Sequence, residues 1–186
     1  MPDITTTGGA LLGLLSKGPR SGYDLITFAD RSIAHFWPIS RALVYRELAR
    51  LEQLGMAKAT MVKGRKAPDK RTYTISRAGA NALAEWLDEP SLGTGRVKNE
   101  ILLKCFFADR MSGDRLEALL DDYRAALLAD LADLESITAR LDGVPRARYA
   151  RLTARHGIHS TRAHLAWIEE VWTELSIERK EARTPH

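Results

Sequence analysis

Cysteine is almost absent from this sequence, which has Cys105 alone among 186 residues. An intrachain disulfide and a cysteine-based zinc site are therefore both excluded. Long apolar runs are also missing, because no stretch approaches the roughly 18 uninterrupted apolar residues of a membrane span. The opening residues, MPDITTTGG, lack the charged and apolar regions of a secretory signal. We therefore expect a folded, cytoplasmic protein without a membrane segment.

The excess of positive charge is small, +4 over the whole chain, but it is unevenly placed. Residues 1–90 hold 13 Lys and Arg against 9 Asp and Glu, whereas residues 91–186 hold 15 of each. Between Lys58 and Arg77 there are seven cationic residues and a single acid, Asp69. Such local focusing of charge favours a polyanionic partner such as a nucleic acid.

Short helices dominate the predicted structure of the first 55 residues. Breaks at Gly18-Pro19 and Trp37-Pro38 separate three helical segments. Ser40 is a suitable N-cap for the third segment, which has an apolar stripe and ends at Gly55. Its opposite face carries cationic, aromatic and small side chains, whereas an ordinary solvated helix favours Glu and Lys. The three segments cover residues 10–15, 21–30 and 41–54.

A β-hairpin with a basic tip is predicted after the third helix. Residues 57–62 and 71–75 carry β-branched or alternating side chains, and the turn formers of KGRKAPDK lie between them. Ser76 then caps a fourth helix that ends near Pro90. Three helices followed by a two-stranded hairpin form the winged variant of the helix-turn-helix.

The second half of the chain has the composition of long helices. Beyond the linker EPSLGTG it is rich in Ala, Leu, Glu, Asp and Arg, and helices are predicted over 96–109, 112–141 and 147–180. The predicted fold class is therefore mainly α. A winged helix-turn-helix domain with a two-stranded β wing covers residues 1–90, and a helical dimerisation domain covers residues 91–186.

The predicted fold assigns DNA contacts to two elements. In a winged helix-turn-helix the third helix enters the major groove, and the hairpin tip lies along the backbone or minor groove. Arginine can pair with guanine or phosphate, a tyrosine hydroxyl can bond a phosphate oxygen, and wing cations can neutralise phosphates. The residues expected to contact DNA are Ser40, Arg41, Tyr45, Arg46, Lys63, Arg65, Lys66, Lys70 and Arg71.

Apolar surface in the second half exceeds what a small winged domain can cover. Two helices of about 30 residues are each roughly 45 Å long. We expect their apolar stripes to pack on each other and on the same surfaces of a second chain. The residues expected at this dimer interface are Leu116, Leu120, Tyr123, Leu127, Leu131, Leu134, Ile168, Trp172 and Leu175.

The aromatic residues of the second half have two interpretations. Tyr149, Trp167 and Trp172 line an effector pocket in one, and belong to the core or dimer interface in the other, which aromatic residues at helical spacing favour. His156 and His159 share a helix face, but no cysteine or HExxH pattern accompanies them. No metal site and no cofactor are expected. The sequence also lacks a P-loop, a nucleophile elbow and a recognisable acid and base pair, so an enzyme is not expected.

Three strings of the sequence are distinctive: GPRSGYDL, HFWPISRALVYRELARLEQLGMAKA and RTYTISRAGANALAEWL. Together they resemble the PadR family of transcription regulators, and with ILLKCFF and the long helices the resemblance extends over nearly the whole chain. It is similar to the larger subfamily with an extended C-terminal dimerisation domain. The resemblance implies a homodimer that binds a near-palindromic operator, usually as a repressor, and releases it when a small molecule or another signal arrives.

The resemblance also carries over to individual residues. Ser40, Arg41, Tyr45 and Arg46 match the recognition-helix face, and residues 63–71 match the wing, whose length and charges vary among relatives. From the residues themselves two function classes remain open. One is an operator-binding regulator, which the charged wing favours, and the alternative is an adaptor whose winged helix binds a protein partner.

Overall fold

The computed structural model describes residues 4–63, 70–90, 99–111 and 114–182, with side chains in the last range up to Leu175. The chain divides into two compact units, Met1–Gly93 and Thr94–His186. No helix in the described part is long and apolar enough to cross a membrane. The first unit contains α1 (Thr6–Leu15), β1 (Arg20–Ser21), α2 (Gly22–Ser32), α3 (Arg41–Gln53), β2 (Ala57–Val62), β3 (Lys70–Ile75) and α4 (Arg77–Asp88). The second contains α5 (Glu100–Phe106), α6 (Arg115–Arg140) and α7 (Arg148–Ala182), with 3-10 turns at Ala108–Arg110 and Pro145–Ala147.

Side-chain caps start the helices of the first unit. Ser21, Ser40 and Ser76 each accept a hydrogen bond from the backbone N–H three residues further on, at the starts of α2, α3 and α4. Thr5 caps α1 in the same way, so this helix begins at Thr6 and not at residue 10 as predicted. Each cap satisfies one of the backbone donors that the first turn of a helix leaves unpaired.

The wing belongs to a three-stranded antiparallel sheet with the order β1-β3-β2. β2 and β3 pair from Ala57 opposite Ile75 to Val62 opposite Lys70, as the predicted hairpin requires. The sequence analysis did not predict β1, whose two residues pair with the middle of β3. Two residues are too few to show an alternating pattern, so this strand becomes visible only in the tertiary structure. It ties the start of α2 to the wing.

The core of the first unit lies between its helices and the sheet. The predicted apolar stripe of α3, Val44, Leu48 and Leu51, is fully buried. It packs with leucines of α1 and α2 and with Tyr73 of β3. Gly55 has φ +68°, a conformation that favours glycine, and it turns the chain from α3 into β2 as predicted.

An antiparallel hairpin of α6 and α7 forms the body of the second unit. Its helices meet in two apolar clusters, one near the open end and one near the connection. The clusters centre on Leu120, Leu127 and Ile168, and on Leu134, Ala154 and Ile158. Gly143, at φ +69°, and Pro145 separate the helices as predicted. Cys105 of α5 packs against the first cluster, and its partial burial raises the pKa of the thiol, which is typical of a packing residue.

Candidate nucleic-acid interface

The outer face of α3 carries Arg41, Tyr45 and Arg46, all three exposed. Ser40 caps the helix at the same end, where its Oγ accepts from the N–H of Leu43 at 3.3 Å. The first turn contains no acidic residue, so no side-chain charge there offsets the positive end of the helix dipole. Within the described residues Arg41 and Arg46 form no ion pair. Both guanidinium groups therefore face solvent with their donors open to an anion or a base edge.

Tyr45 lies across the N-terminus of α2. A Cβ placed on Gly22 would overlap the Tyr45 ring, so the ring edge occupies the space that this glycine leaves open. The tyrosine nevertheless remains 50% exposed. Gly22 thus supports one side of the ring while the other side stays on the surface. The sequence analysis did not identify Gly22, because the contact joins two different helices and leaves no local pattern.

The cations predicted in the wing fall into two groups. Lys63, directly after β2, is exposed and forms no ion pair with another described residue. Lys70 and Arg71, in the first residues of β3, are each held by a carboxylate. Arg65 and Lys66 lie outside the described residues.

Asp24 and Glu52 are the two carboxylates that hold the start of β3, at the tip side of the wing. Lys70 Nζ donates to Asp24 Oδ2 at 3.0 Å, and Arg71 Nη2 donates to the two oxygens of Glu52 at 2.7 and 2.6 Å. The hydrogen bond from Ser21 Oγ, and after it that from Lys70, lowers the pKa of the Asp24 carboxyl. Neither acid was predicted from the sequence, because no local pattern around Asp24 or Glu52 indicates a cationic partner in β3.

Glu47 is a buried carboxylate on the inner side of α3, with 5% exposure. Its Oε1 accepts from Thr5 Oγ1 at 2.7 Å and from Arg50 Nη1 at 3.0 Å. Thr5 also caps α1, where its Oγ1 accepts from the N–H of Gly8 at 2.9 Å. This network satisfies the buried acid and links the start of α1 to the middle of α3, so it helps to orient the outer face of that helix.

Four residues predicted at the dimer interface are buried inside the second unit. Leu120, Leu127, Leu134 and Ile168 are at most 6% exposed and cover the facing sides of α6 and α7. Their burial within one chain leaves them little surface for a partner. The other five pack partly buried around the same two clusters: Leu116, Tyr123, Leu131, Trp172 and Leu175.

Exposed apolar side chains are concentrated on and just after α5. Leu102, Leu103, Phe106 and Phe107 are 47%, 59%, 79% and 55% exposed. We call these four residues the α5 patch. Because these exposed apolar residues are neighbours in the chain, they make α5 a candidate interaction surface, whereas single exposed side chains are ordinary. The sequence analysis assigned no individual role to them, because an apolar run alone does not show which of its members stay uncovered.

The predicted effector pocket does not form as a single site. Tyr149 lies in the first turn of α7 and is 75% exposed. Trp167 lies about 27 Å further along the same helix, at 1.5 Å per residue. Trp167 and Trp172 pack against the Leu120 cluster, where the Arg124 guanidinium lies 5.7 Å from the ring centre of Trp172. The prediction that Tyr149, Trp167 and Trp172 line one pocket is therefore corrected, because the length of α7 between them keeps Tyr149 apart from the two tryptophans.

Comparisons with known proteins cover both units. Residues 11–85 match the family described as transcriptional regulator PadR-like, and residues 97–176 match the one described as virulence activator alpha C-term. The negative transcriptional regulator PadR of Bacillus subtilis is 32% identical over 133 residues, which are 71% of this chain and 72% of that protein. The probable transcriptional regulator Rv1176c of Mycobacterium tuberculosis is 30% identical over 191 residues, covering 91% of this chain and 97% of that protein.

Solved structures show the same fold. The crystal structure of Bacillus subtilis PadR in complex with operator DNA matches with a TM-score of 0.80 at 24% identity, over 92% of this chain and 99% of that chain. The structure of the same regulator in complex with p-coumaric acid matches with a TM-score of 0.73 at 24% identity, again over 92% and 99%. The predicted fold class, a winged helix followed by long helices, is confirmed.

Proposed function

Since this chain belongs to the PadR-like family of transcriptional regulators, we propose that it represses its targets by binding a near-palindromic operator as a homodimer. The family consists of DNA-binding regulators and not of enzymes, as the sequence predicted. The Bacillus subtilis relative is named as a negative regulator, which favours repression over activation. The proposed location is the cytoplasm, because a regulator acts where its target DNA is.

The outer face of α3 is the observation that carries the proposal. Arg41, Tyr45 and Arg46 project from one capped helix whose first turn has no acid. A face of this kind fits the major groove, where an arginine can donate two hydrogen bonds to guanine and a tyrosine hydroxyl can reach a phosphate. Lys63, with Arg65 and Lys66 of the tip, would neutralise phosphates on the flanking backbone.

A second copy of the chain is the proposed partner of the α5 patch. Leaving four large apolar side chains in water is unfavourable by roughly 25 cal/mol for each Å² of apolar surface that a partner could cover. A two-fold contact would cover the same patch on both chains at once. It would also present two α3 helices to half-sites about 34 Å apart, or a multiple of that distance, which is why a near-palindrome is expected.

The proposed signal is a small molecule bound by the second unit. The Bacillus subtilis relative was solved with p-coumaric acid, so phenolic acids are the first compounds to test. Trp167 and Trp172 are the candidate contacts, because both are partly buried and the Arg124 guanidinium lies 5.7 Å from the ring centre of Trp172. Release of DNA by such a compound would distinguish a sensing regulator from a constitutive one.

Selection of bound duplexes from a random-sequence pool, followed by footprinting, tests the proposal. We expect symmetric protection of a near-palindrome. The double variant Tyr45→Phe and Arg46→Ala should lose binding to the selected duplex without a change in circular dichroism. Arg31→Ala is the matched control, because it removes the same charge from the exposed far end of α2.

The possible outcomes separate the alternatives. A double variant that binds like the wild type would remove α3 from the groove. A wild-type chain that selects no duplex would favour the adaptor function toward a protein partner. A reporter gene placed behind the selected site should be expressed less in the presence of the wild-type protein, and higher expression would identify an activator.

A further inference from the structure

We propose that Arg71 positions the wing against α3 and Lys70 positions it against α2, that neither serves as a phosphate contact, and that Glu52 and Asp24 are their positioning partners. The inference rests on the proposed DNA-binding function of α3 and the wing. We call these four residues the wing anchor. The sequence predicts Lys70 and Arg71 as DNA contacts, whereas here they are positioning residues. Their partners Asp24 and Glu52 belong to no motif that the sequence shows.

The pair of Arg71 and Glu52 joins the two proposed DNA-reading elements directly. Glu52 lies in the last turn of α3, and Arg71 lies near the start of β3. Both carboxylate oxygens accept from the same guanidinium nitrogen, at 2.7 and 2.6 Å. The guanidinium also lies 5.7 Å from the ring centre of Tyr73, a buried core residue. Arg71 is therefore held from two sides, by the recognition helix and by the sheet.

The pair of Lys70 and Asp24 holds the same strand to a different helix. Asp24 lies in the first turn of α2 and accepts from Lys70 Nζ at 3.0 Å and from Ser21 Oγ at 2.8 Å. Ser21 in turn pairs with Thr72 in the sheet. Successive side chains of a strand point to opposite faces, which allows neighbouring residues 70 and 71 to reach two helices. The start of β3 is thus tied to α2 and α3 at once.

The carboxylates reduce what these two cations can contribute to binding a phosphate. A cation that is already neutralised by an acid has released its counterion, so exchanging the acid for a phosphate adds little salt-dependent affinity. The competing phosphate would also have to displace two charge-assisted hydrogen bonds from Arg71. Lys63 differs, since it forms no ion pair within the described residues. The start of β3 is therefore a positioning segment, whereas Lys63, directly after β2, is a proposed phosphate contact.

The variant Glu52→Gln separates positioning from contact, with the duplex selected by the wild-type protein as the probe. It removes the anchor while Arg71 keeps its charge. Positioning predicts that affinity for the selected duplex falls about fivefold, and that its preference over a scrambled duplex falls as well. A phosphate contact predicts the opposite, because removing an acid that competes for Arg71 should raise the affinity for both duplexes. Unchanged or increased affinity overturns the proposal.

Arg71→Gln gives an independent readout. If Arg71 is a positioning residue, its loss should lower the affinity while the slope of log affinity against log salt stays within about 0.3 of the wild type. If Arg71 contacts a phosphate, its loss should reduce that slope by about 0.9, and this result overturns the proposal. Asp30→Asn is the matched control for Glu52→Gln, because it removes one negative charge from an exposed position of the first unit. It should bind like the wild type.

Before binding is compared, a thermal unfolding measurement on each variant shows whether that variant is folded. Failure of the proposed function and failure of the wing anchor can be told apart by comparing the wild-type protein with Glu52→Gln. A wild-type chain that selects no duplex refutes the proposed function, whereas wild-type selection with undiminished binding by Glu52→Gln refutes only the wing anchor.

Discussion

The ring of Tyr45 lies against the backbone of Gly22, so that α3 and α2 touch beside the exposed face of α3. The contact needs a residue without a side chain at position 22, since a methyl group there would overlap the ring. It holds an aromatic side chain at a defined place on the surface while half of it remains exposed. A surface tyrosine without such support would lose more rotamer freedom on binding DNA.

Replacing Gly22 with alanine should therefore weaken operator binding about tenfold, because the new methyl group displaces the ring and its hydroxyl. Fluorescence anisotropy with the selected duplex measures the effect. Gly13→Ala is the control, since nothing lies within 4 Å of a Cβ at that position of α1. It should keep the affinity and stabilise the helix by about 0.5–1 kcal/mol. Wild-type affinity in Gly22→Ala would show that the placement of Tyr45 is not used.

Neutralising Lys63, Arg65 and Lys66 should weaken binding to the operator and to unrelated DNA alike. Each phosphate contact that is lost should reduce the slope of log affinity against log salt by about 0.9. Titrations at several salt concentrations give the slope, and Lys17→Gln, at the end of α1, provides a control with one charge removed elsewhere. Loss of selectivity at a single base position would instead mean that the wing reads bases.

Phe106→Glu should convert the proposed dimer into a monomer, because it places a charge in the α5 patch at its most exposed residue, Phe106, which is 79% exposed. Sedimentation at micromolar protein concentration measures the assembly, and operator affinity should fall with it. Val144→Glu introduces the same charge at an exposed position in the connection between α6 and α7 and should remain a dimer. Dimers of unchanged stability in Phe106→Glu would exclude the patch as the interface.

The contribution of Asp24 to stability should disappear only in acid. Its pKa lies below the ordinary value, first because of the hydrogen bond from Ser21 and then because of Lys70. A carboxylate with a lowered pKa in the folded state stabilises the fold above its unfolded pKa, and this is lost as the pH falls through the folded value. The difference in thermal midpoint between the wild type and Asp24→Asn should be constant from neutral pH to about pH 5. It should vanish below 3.8, the ordinary pKa of the group.

An earlier loss would contradict this account. If the difference between the two proteins disappeared between about pH 8 and pH 6, a group that titrates near neutrality would control the pair. Measuring Ser21→Ala alongside separates the two causes, since it removes the hydrogen bond that lowers the pKa most and leaves Lys70 in place.

Local chemistry was enough to predict the winged helix and its exposed face. Ser21, Ser40 and Ser76 start helices because their hydroxyl groups reach backbone donors only three residues away. The burial of Val44 and Leu48 follows from helical periodicity, and the position of Arg46 on the opposite side follows from the same geometry. Interactions of this range are present in the sequence itself, so it determined where α2, α3 and α4 begin and which side of α3 faces outward.

Only the tertiary structure decided the partners. The sequence predicts that Arg71 is charged, but the acid that it meets depends on which carboxylate the packing brings within hydrogen-bonding distance, and here it is Glu52. Leu120 and Ile168 are a second example. Their apolar stripes predict that one face of each helix is covered, but not whether the same chain or a second chain covers it. The free energy of burial depends on the area removed from water and is the same whichever surface covers it, so only the folded chain distinguishes its core from its interface.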